Sequence, residues 1–480
     1  MNQKILNTIA TDKKTKMLDQ ILKTIKEAGG EAYRVGGSIR DFVLNQTSEE
    51  QYQSKDIDIE VYGLSIDKLF AVLSLFNPKL VGKIFGVIKV DNYDFSLPRR
   101  DVKISKGHKG FEVVFDPMMD KKEACRRRDF TMNSMMQNAY TGEYFDFFGG
   151  ADDIDLRIIR ATDPKHFGED PLRVLRAVQF AVRFGMEVEP HTSIICSLIS
   201  LEDLPVERIW EEIVKIMVKG KYFLSHFENA LMATYTEDIF HDLCVLRYIE
   251  QNPKHHPEGN VWEHTMRALD YAAEHFTFTD DKHKLKVMLA IMLHDIGKAE
   301  TTELQEDGRI TSVGHDKVGA ELTENFLCQY TTDVELIEDV VSLVANHMVP
   351  LHFYNHKEKI SRASLNRLST RVSSIEDLLM VAEADACGTL KPDRKLIKKF
   401  LQEDLKTQII AANILNSQPK RLIEYKDLDV VINPPTLRGF TINYLYEQQL
   451  QGKFNTTEEG IEFFSQNFQT IMEEFRVRQS

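Results

Sequence analysis

From Asp56 to Val61 the chain alternates acid and apolar residues: Asp56-Ile57-Asp58-Ile59-Glu60-Val61. An extended strand sorts such a run onto two faces, because its side chains repeat every second residue. Asp56, Asp58 and Glu60 then share one face, and Ile57, Ile59 and Val61 the other. Three carboxylates on one face repel each other unless a cation sits between them. A solvated edge strand is the plain reading, and an oxygen-ligand Mg²⁺ site is the functional one. The upstream residues bear on the choice. Ala32–Val35 reads as a strand, Gly36-Gly37 as a turn and Ser38–Leu44 as a helix. A diglycine there lets backbone N–H groups approach phosphate, and the helix N-terminus adds a partial positive charge. A turn that is merely tight is the alternative.

Gly-Gly-Ser followed by Asp-x-Asp on the next strand resembles the nucleotidyltransferase superfamily related to DNA polymerase β. In such a site two metal ions activate an attacking hydroxyl and stabilise a leaving pyrophosphate. The spacer from Ser38 to Lys55 is longer than usual for the pattern, and NQTSEEQYQS within it reads as a polar surface loop. Val81–Val90 and Tyr93–Leu97 read as strands joined through Asp91-Asn92. Asp94 lies on the second. A third carboxylate near the metal often comes from such a neighbouring strand in this superfamily, so Asp94 and Glu60 are equal candidates. A surface acid is the alternative for either.

The length of 480 residues suggests about three domains. No apolar run approaches the roughly 20 residues needed to span a membrane. The opening MNQKILNTIATDKKTK lacks the apolar core of a signal peptide. Five scattered cysteines form no CxxC, which suits reduced thiols in a cytoplasm and argues against disulfides or Cys-ligated zinc. The net charge of −14 looks wrong for a nucleic-acid binder, but it is an average. Basic clusters at Lys13–Lys16, Arg99–Lys109, Lys121–Arg128 and Lys391–Lys399 permit a local RNA surface.

Along the chain, residues 14–28 and Ser65–Leu75 have helical spacing. LPRRDVKISKGHKGFEV reads as a mobile basic loop near the site, or as a solvated charge run. In RRRDFTMNS, Arg128 could clamp phosphate while Asp129 or Asn133 meets a ribose hydroxyl; Asp129 could equally be a helix N-cap. DDIDLRIIRAT alternates like a strand. Asp170-Pro171 suits the start of a helix. Asp170 and Arg173, three apart on one face, could read the Watson–Crick edge of a base in place of a template strand.

GGSIRD, DIDIEVYG, RRRDFTMNS and EDPLRVLRAVQF, in this order, resemble bacterial class II tRNA nucleotidyltransferases and their bacterial poly(A) polymerase relatives, over residues about 30–185. The resemblance implies that Asp56 and Asp58, with Asp94, hold the catalytic Mg²⁺. It implies that Arg128, Asp129 and Asn133 handle ribose and phosphate. Glu169, Asp170 and Arg173 would select CTP or ATP, and Gly36, Gly37, Arg40 and Arg176 join the nucleotide-binding set. Two departures are visible: Glu60-Val61 replaces the usual hydroxyl residue, and FTMNS stands for the commoner FTINA. Residues 186–245 would be a helical neck, with Arg208 and Lys215 read as solvated.

A second constellation follows. His294-Asp295 ends an apolar helical segment, and His264, His315, His347 and Asp385 are spread over other helices. A lone histidine beside an apolar helix is usually a satisfied core residue. Several histidines with acids suit a transition metal or Mg²⁺. The pattern resembles the HD phosphohydrolase superfamily. The resemblance implies that His264, His294, Asp295 and Asp385 bind a first metal, and that His315 and His347 complete a two-metal site. A domain that keeps the fold only for RNA binding or dimerisation is the alternative.

These readings give an α+β chain: a polymerase-β-like nucleotidyltransferase head with a mixed sheet (1–160), a helical neck (161–245), an all-α HD domain (246–387) and a helical C-terminal tRNA-binding region (388–480). The expected activity is addition of CMP and AMP to the 3′ end of tRNA from CTP and ATP, in the cytoplasm. An A-adding, CC-adding or poly(A)-adding enzyme, or an HD phosphohydrolase with an RNA-binding head, are the alternatives. The sequence leaves the oligomeric state open.

Overall fold

The structure is a computed structural model and describes residues 16–47, 51–52, 56–81, 86–103, 111–357, 360–412, 414–415, 419–428, 432 and 434–479. The chain forms two compact units. One runs to Glu212 and includes Ser225–Thr236; the other comprises Ile213–Leu224 and everything from Glu237.

The first unit is built on a seven-stranded mixed sheet. Its strands are β1 (Glu31–Val35), β2 (Ile57–Tyr62), β3 (Lys79–Val81), β4 (Val87–Val90), β5 (Tyr93–Ser96), β8 (Met136–Asn138) and β9 (Tyr144–Phe145), in the order β3-β4-β5-β2-β1-β8-β9. β2 runs parallel to β5, and the other pairs are antiparallel. The apolar side of β2 seats Ile59 and Val61 in a core with Phe95, Ile88 and the buried stripe Leu18, Ile21, Leu22 and Ile25 of helix 16–27. That stripe has the i, i+3, i+4, i+7 spacing of one helix face. β2 is therefore interior, with β5 and β1 on either side, and the edge-strand reading of Asp56–Glu60 does not hold.

Other expectations change here. The basic segment from Leu97 is not simply a loop: β6 (Arg99–Lys103) and β7 (Phe111–Phe115) pair antiparallel, while residues 104–110 lie outside the described set. In place of one strand over Val81–Val90 there are two, β3 and β4, which pair antiparallel, with 82–85 outside the described residues. Of the cluster Lys13–Lys16 only Lys16 is described, as is true of the polar insertion only in part. Asp129 is no N-cap; Asp120 caps helix Lys121–Arg126. The alternating stretch after Gly149 folds as helix Gly150–Asp155 before a short strand Ile158–Ile159. Asp146 decides this by accepting the N–H groups of Gly150 and Ala151 at 2.8 and 2.9 Å, which supplies two of the partners a helix start lacks. Helix Leu172–Phe184 begins after Asp170-Pro171, as the sequence indicates.

The second unit is mainly helical. Helices Val261–His275, Asp281–Leu293, His315–Tyr330, Val334–Asn346 and Ile375–Gly388 surround a core in which Val287–Leu293 are all buried. A small antiparallel pair, Thr302–Leu304 with Ile310–Ser312, interrupts the helices. Further on, helices Pro435–Leu450 and Thr457–Gln479 enclose a separate apolar cluster around Leu445, Phe454, Phe464 and Ile471. Among the described residues no helix is long and apolar enough to cross a membrane.

Phe95 is fully buried beneath the acidic row, one residue beyond Asp94. Phe95→Ala should cost about 3–5 kcal/mol through lost burial and a cavity, read as a lower midpoint in thermal or urea unfolding.

Candidate functional site

The sheet register places like charges side by side. Asp58 on β2 is the cross-strand partner of Asp94 on β5, and Asp94 is the partner of Lys89 on β4. Cross-strand partners share a face, so Lys89, Asp94 and Asp58 form one row. Asp56 precedes β2 on the same side. Burial pushes the Asp58 carboxyl up; Arg128 opposes this, and Asp94 and Asp56 add to the rise. One oxygen of Asp94, Oδ1, is buried; it makes no hydrogen bond among the described residues and has the Lys89 ammonium 3.5 Å away. Gly36, at φ +69°, closes the site: a Cβ there would stand 3.1 Å from the Arg128 guanidinium and 3.2 Å from Asp58 Oδ2. Gly37 opens the helix Gly37–Thr47 behind it. Oxygen-only donors and a cradle without a side chain fit a hard divalent cation.

Glu60 is engaged elsewhere. It accepts a hydrogen bond from the Tyr62 hydroxyl at 2.7 Å and faces Arg128 at 3.9 Å. Of the two equal candidates for the third carboxylate, Asp94 is the one aligned with Asp58. A cavity of about 320 Å³ is lined by Asp58, Glu60, Ser96, Arg99, Arg127 and Arg128, so arginines and carboxylates share its wall.

Behind Arg128 lies a buried polar network. Arg40 donates to Asp41 Oδ1 at 2.9 and 2.6 Å and to Asn133 Oδ1 at 2.8 Å, and its guanidinium lies over Phe180 and Phe184. Asn133 in turn donates to Asp129 Oδ1 at 2.9 Å, and Arg176 grips Asp129 Oδ2 through Nε and Nη2 at 2.8 and 2.6 Å. Asp129, Asn133, Arg40 and Arg176 thus join one another. Asp41, adjacent to Arg40 in GGSIRD, completes the network and was not singled out from the sequence.

The side chains of Asp170 and Arg173 do not pair with each other. Arg173 donates to the main-chain oxygens of Arg127 (2.8 Å) and His166 (3.2 Å), and Asp170 Oδ2 accepts from Arg208 at 3.2 Å. Arg208, read from the sequence as solvated, is therefore a partner of the candidate base reader. Glu169 is exposed.

In the second unit six side chains converge. His264, His294 and Asp385 form one group, and Asp295, His315 and His347 another. Asp295 joins them. Its Oδ2 lies 3.3 Å from His294 Nε2 and 3.8 Å from His264 Nε2, while its Oδ1 lies 3.4 Å from His315 Nε2 and 3.9 Å from His347 Nε2. Asp385 Oδ1 is 3.1 Å from His264 Nε2. Each of three rings is aimed by its own turn: Nδ1 donates to Ile291 O from His294, to Ser312 O from His315 and to Val344 O from His347, at 2.7–2.8 Å. A carbonyl only accepts, so Nδ1 carries the proton in the neutral ring and Nε2 the lone pair. His315 and His347 then point lone pairs at each other across 3.3 Å. A cation between them resolves that contact, and imidazole with carboxylate suits a transition ion.

Residues the sequence did not flag support this centre. The carboxylate of Glu258 is buried; its Oε1 accepts from Nδ1 of both His264 and His256 at 2.9 Å. Burial opposes charge on His264, but the hydrogen bonds to Asp385 and Glu258 outweigh it and push the ring up to about 9. Burial pulls His347 down to about 4. Lys298, buried, donates to Asp295 Oδ2 at 2.6 Å and to Gln251 at 2.8 Å. Burial would raise the Asp295 carboxyl, but Lys298 and His294 hold it well below the usual range. A cavity of about 330 Å³ opens beside the centre, lined in part by Asn252, His256, Lys298, Met348, Tyr354 and Lys391.

Residues 32–160 match the Poly A polymerase head domain family and residues 261–388 the HD domain family. The two sites with these matches define a nucleotidyltransferase head combined with an HD domain. The chain is 32% identical over 326 residues to the multifunctional CCA protein of Nitrosospira multiformis, covering 67% of this chain and 73% of that protein. It is 30% identical over 399 residues to the multifunctional CCA protein of Pasteurella multocida, covering 78% and 90%. The chain belongs to the multifunctional CCA protein family. The Bacillus stearothermophilus CCA-adding enzyme, solved in complex with CTP, has the same fold, with a TM-score of 0.60 at 20% identity over 96% of this chain and 97% of that one.

Burial alone would raise the Asp129 carboxyl, but Arg176, Asn133 and the Phe130 N–H hold it below its usual value. A depressed carboxyl stabilises the fold above its unfolded pKa of about 4 and loses that contribution as pH falls through its folded value. Asp129→Asn should cost about 2–3 kcal/mol at pH 7, and the difference in unfolding free energy from wild type should shrink below about pH 4. Separately, a Cβ on Gly297 would meet His315 O at 2.1 Å and Gly319 N at 2.5 Å. Gly297→Ala should weaken metal binding by the second unit, measured by calorimetry, and leave nucleotide addition intact.

Proposed function

We propose that this chain builds and repairs the CCA end of tRNA. It adds CMP and AMP from CTP and ATP to the tRNA 3′ end without a nucleic-acid template and releases pyrophosphate. The observation that carries the reading is the aligned Asp58–Asp94 pair, with Asp58 lining one cavity together with Arg127 and Arg128, in a member of this family. On this reading 1–160 is the transferase head, 161–245 the neck, 246–387 the HD domain and 388–480 a tRNA-binding region, and the enzyme works in the cytoplasm.

Asp56, Asp58 and Asp94 would hold Mg²⁺, which when bound supplies activation of the tRNA 3′-hydroxyl and offsets charge on the pyrophosphate. Arg127 and Arg128 face the place where a triphosphate would lie, and guanidinium forks suit phosphate oxygens. Gly36 keeps the strand-to-helix turn open beside Asp58. Asp129, Asn133, Arg40 and Arg176 act from behind, fixing the segment that carries Arg128. Asp170 and Arg173 read the base. The bond of Arg173 to the Arg127 carbonyl ties base reading to the triphosphate cavity.

A second reading concerns the HD centre, and the bridging Asp295 favours it. This centre is a metal-dependent phosphohydrolase acting on 2′,3′-cyclic phosphates and similar esters.

The test uses tRNAs ending before CCA, after C and after CC, each with CTP, ATP or both. Completion of CCA from every start is expected. ATP addition only to the CC end would make this an A-adding enzyme, and runs of A a poly(A) polymerase. Asp58→Asn should lower incorporation by about a thousandfold or more while phosphoesterase activity persists. Asp295→Asn should do the reverse.

A further inference from the structure

The carboxylate row of the head carries its own cation. Lys89 Nζ stands 3.0 Å from Asp56 Oδ1 and 3.5 Å from Asp94 Oδ1. The sheet enforces this placement. Lys89 is level with Asp94 on the adjacent strand, so its stem starts beside one carboxylate and its long arm reaches across β5 to the other. These are oxygens that, on the reading above, a divalent ion would take. An ammonium at hydrogen-bonding distance and a metal ion cannot both occupy the space between them. The pair is also easily opened, since the Lys89 side chain is 35% exposed and that of Asp56 48%. Val87, two residues away on β4 and therefore on the same face, lines the cavity shared by Asp58 and Arg128. A displaced ammonium would lie beside that cavity.

We propose that Lys89 is a resident counterion that competes with the divalent cation for Asp56 and Asp94. It keeps the empty head poor in metal and couples metal loading to arrival of a nucleoside triphosphate, whose phosphates offer the displaced ammonium new partners. The proposal rests on the metal reading of the head carboxylates. A lysine serving only to join two strands would leave metal affinity unchanged when removed.

The experiment titrates the full-length chain with Mn²⁺ without nucleotide and follows free Mn²⁺ by electron paramagnetic resonance. Ions belonging to the head are those lost in Asp58→Asn. Lys89→Met should bind them about three- to fivefold more tightly than wild type, the equivalent of a partly exposed ion pair. Lys89→Arg should stay near wild type. A non-hydrolysable CTP analogue should narrow the gap between Lys89→Met and wild type. In chelator, Lys89→Met should melt below wild type and gain more from added Mn²⁺; Lys89→Gln serves if the methionine variant fails to fold. Unchanged or weaker Mn²⁺ affinity in Lys89→Met and Lys89→Gln would overturn the proposal while leaving the metal reading intact. If Asp58→Asn loses no ion, the metal reading fails and the proposal with it.

Discussion

Like charges held close together are costly, and both centres of this protein are organised around that cost. In the head, pleat and register set Asp58 beside Asp94, with Asp56 at the strand entrance. Neither strand can slip to relieve the repulsion, because a one-residue shift would turn Ile59 and Val61 out of the core. The apolar face therefore holds the charged face in place. Lys89, Arg128 and a bound cation are the available ways to balance it.

The second unit meets the same problem with nitrogen lone pairs. Buried imidazoles face one another at 3.3 Å, and Asp295 lies between the two groups with one oxygen turned toward each. Around them His264 hydrogen-bonds Asp385 and Glu258, and Lys298 donates to Asp295. The supporting contacts are equally specific: Glu258 gives one oxygen to two histidines and accepts the Leu390 N–H with the other.

Much of this was legible in the sequence, wherever period and residue type agreed. The acid–apolar alternation of β2, the strand–diglycine–helix unit and the spread histidines needed no distant information. What failed had a nonlocal cause. Alternation after Gly149 suggested a strand, but a side chain upstream, Asp146, capped a helix there. The basic stretch from Leu97 looked like a loop because nothing local revealed that Arg99–Lys103 would pair with Phe111–Phe115. Arg208 looked solvated because its partner, Asp170, lies 38 positions earlier in the chain. Glu258, Asp41 and Lys298 were missed for a related reason: their value lies in whom they touch. The neighbour relation of Arg40-Asp41 and the closeness of Lys298 to His294-Asp295 were the faint signals available.

His294 and His347 each sit at the C-terminal end of a helix, His315 begins one, and all three bond to a carbonyl three residues back. The aim of each ring is thus written in main chain. Evolution can rewrite the side chains at positions 291, 312 and 344 for reasons of packing alone, and the rings keep their bearing. The imidazoles are written in the sequence, while the carbonyls that point them leave no trace in the alphabet.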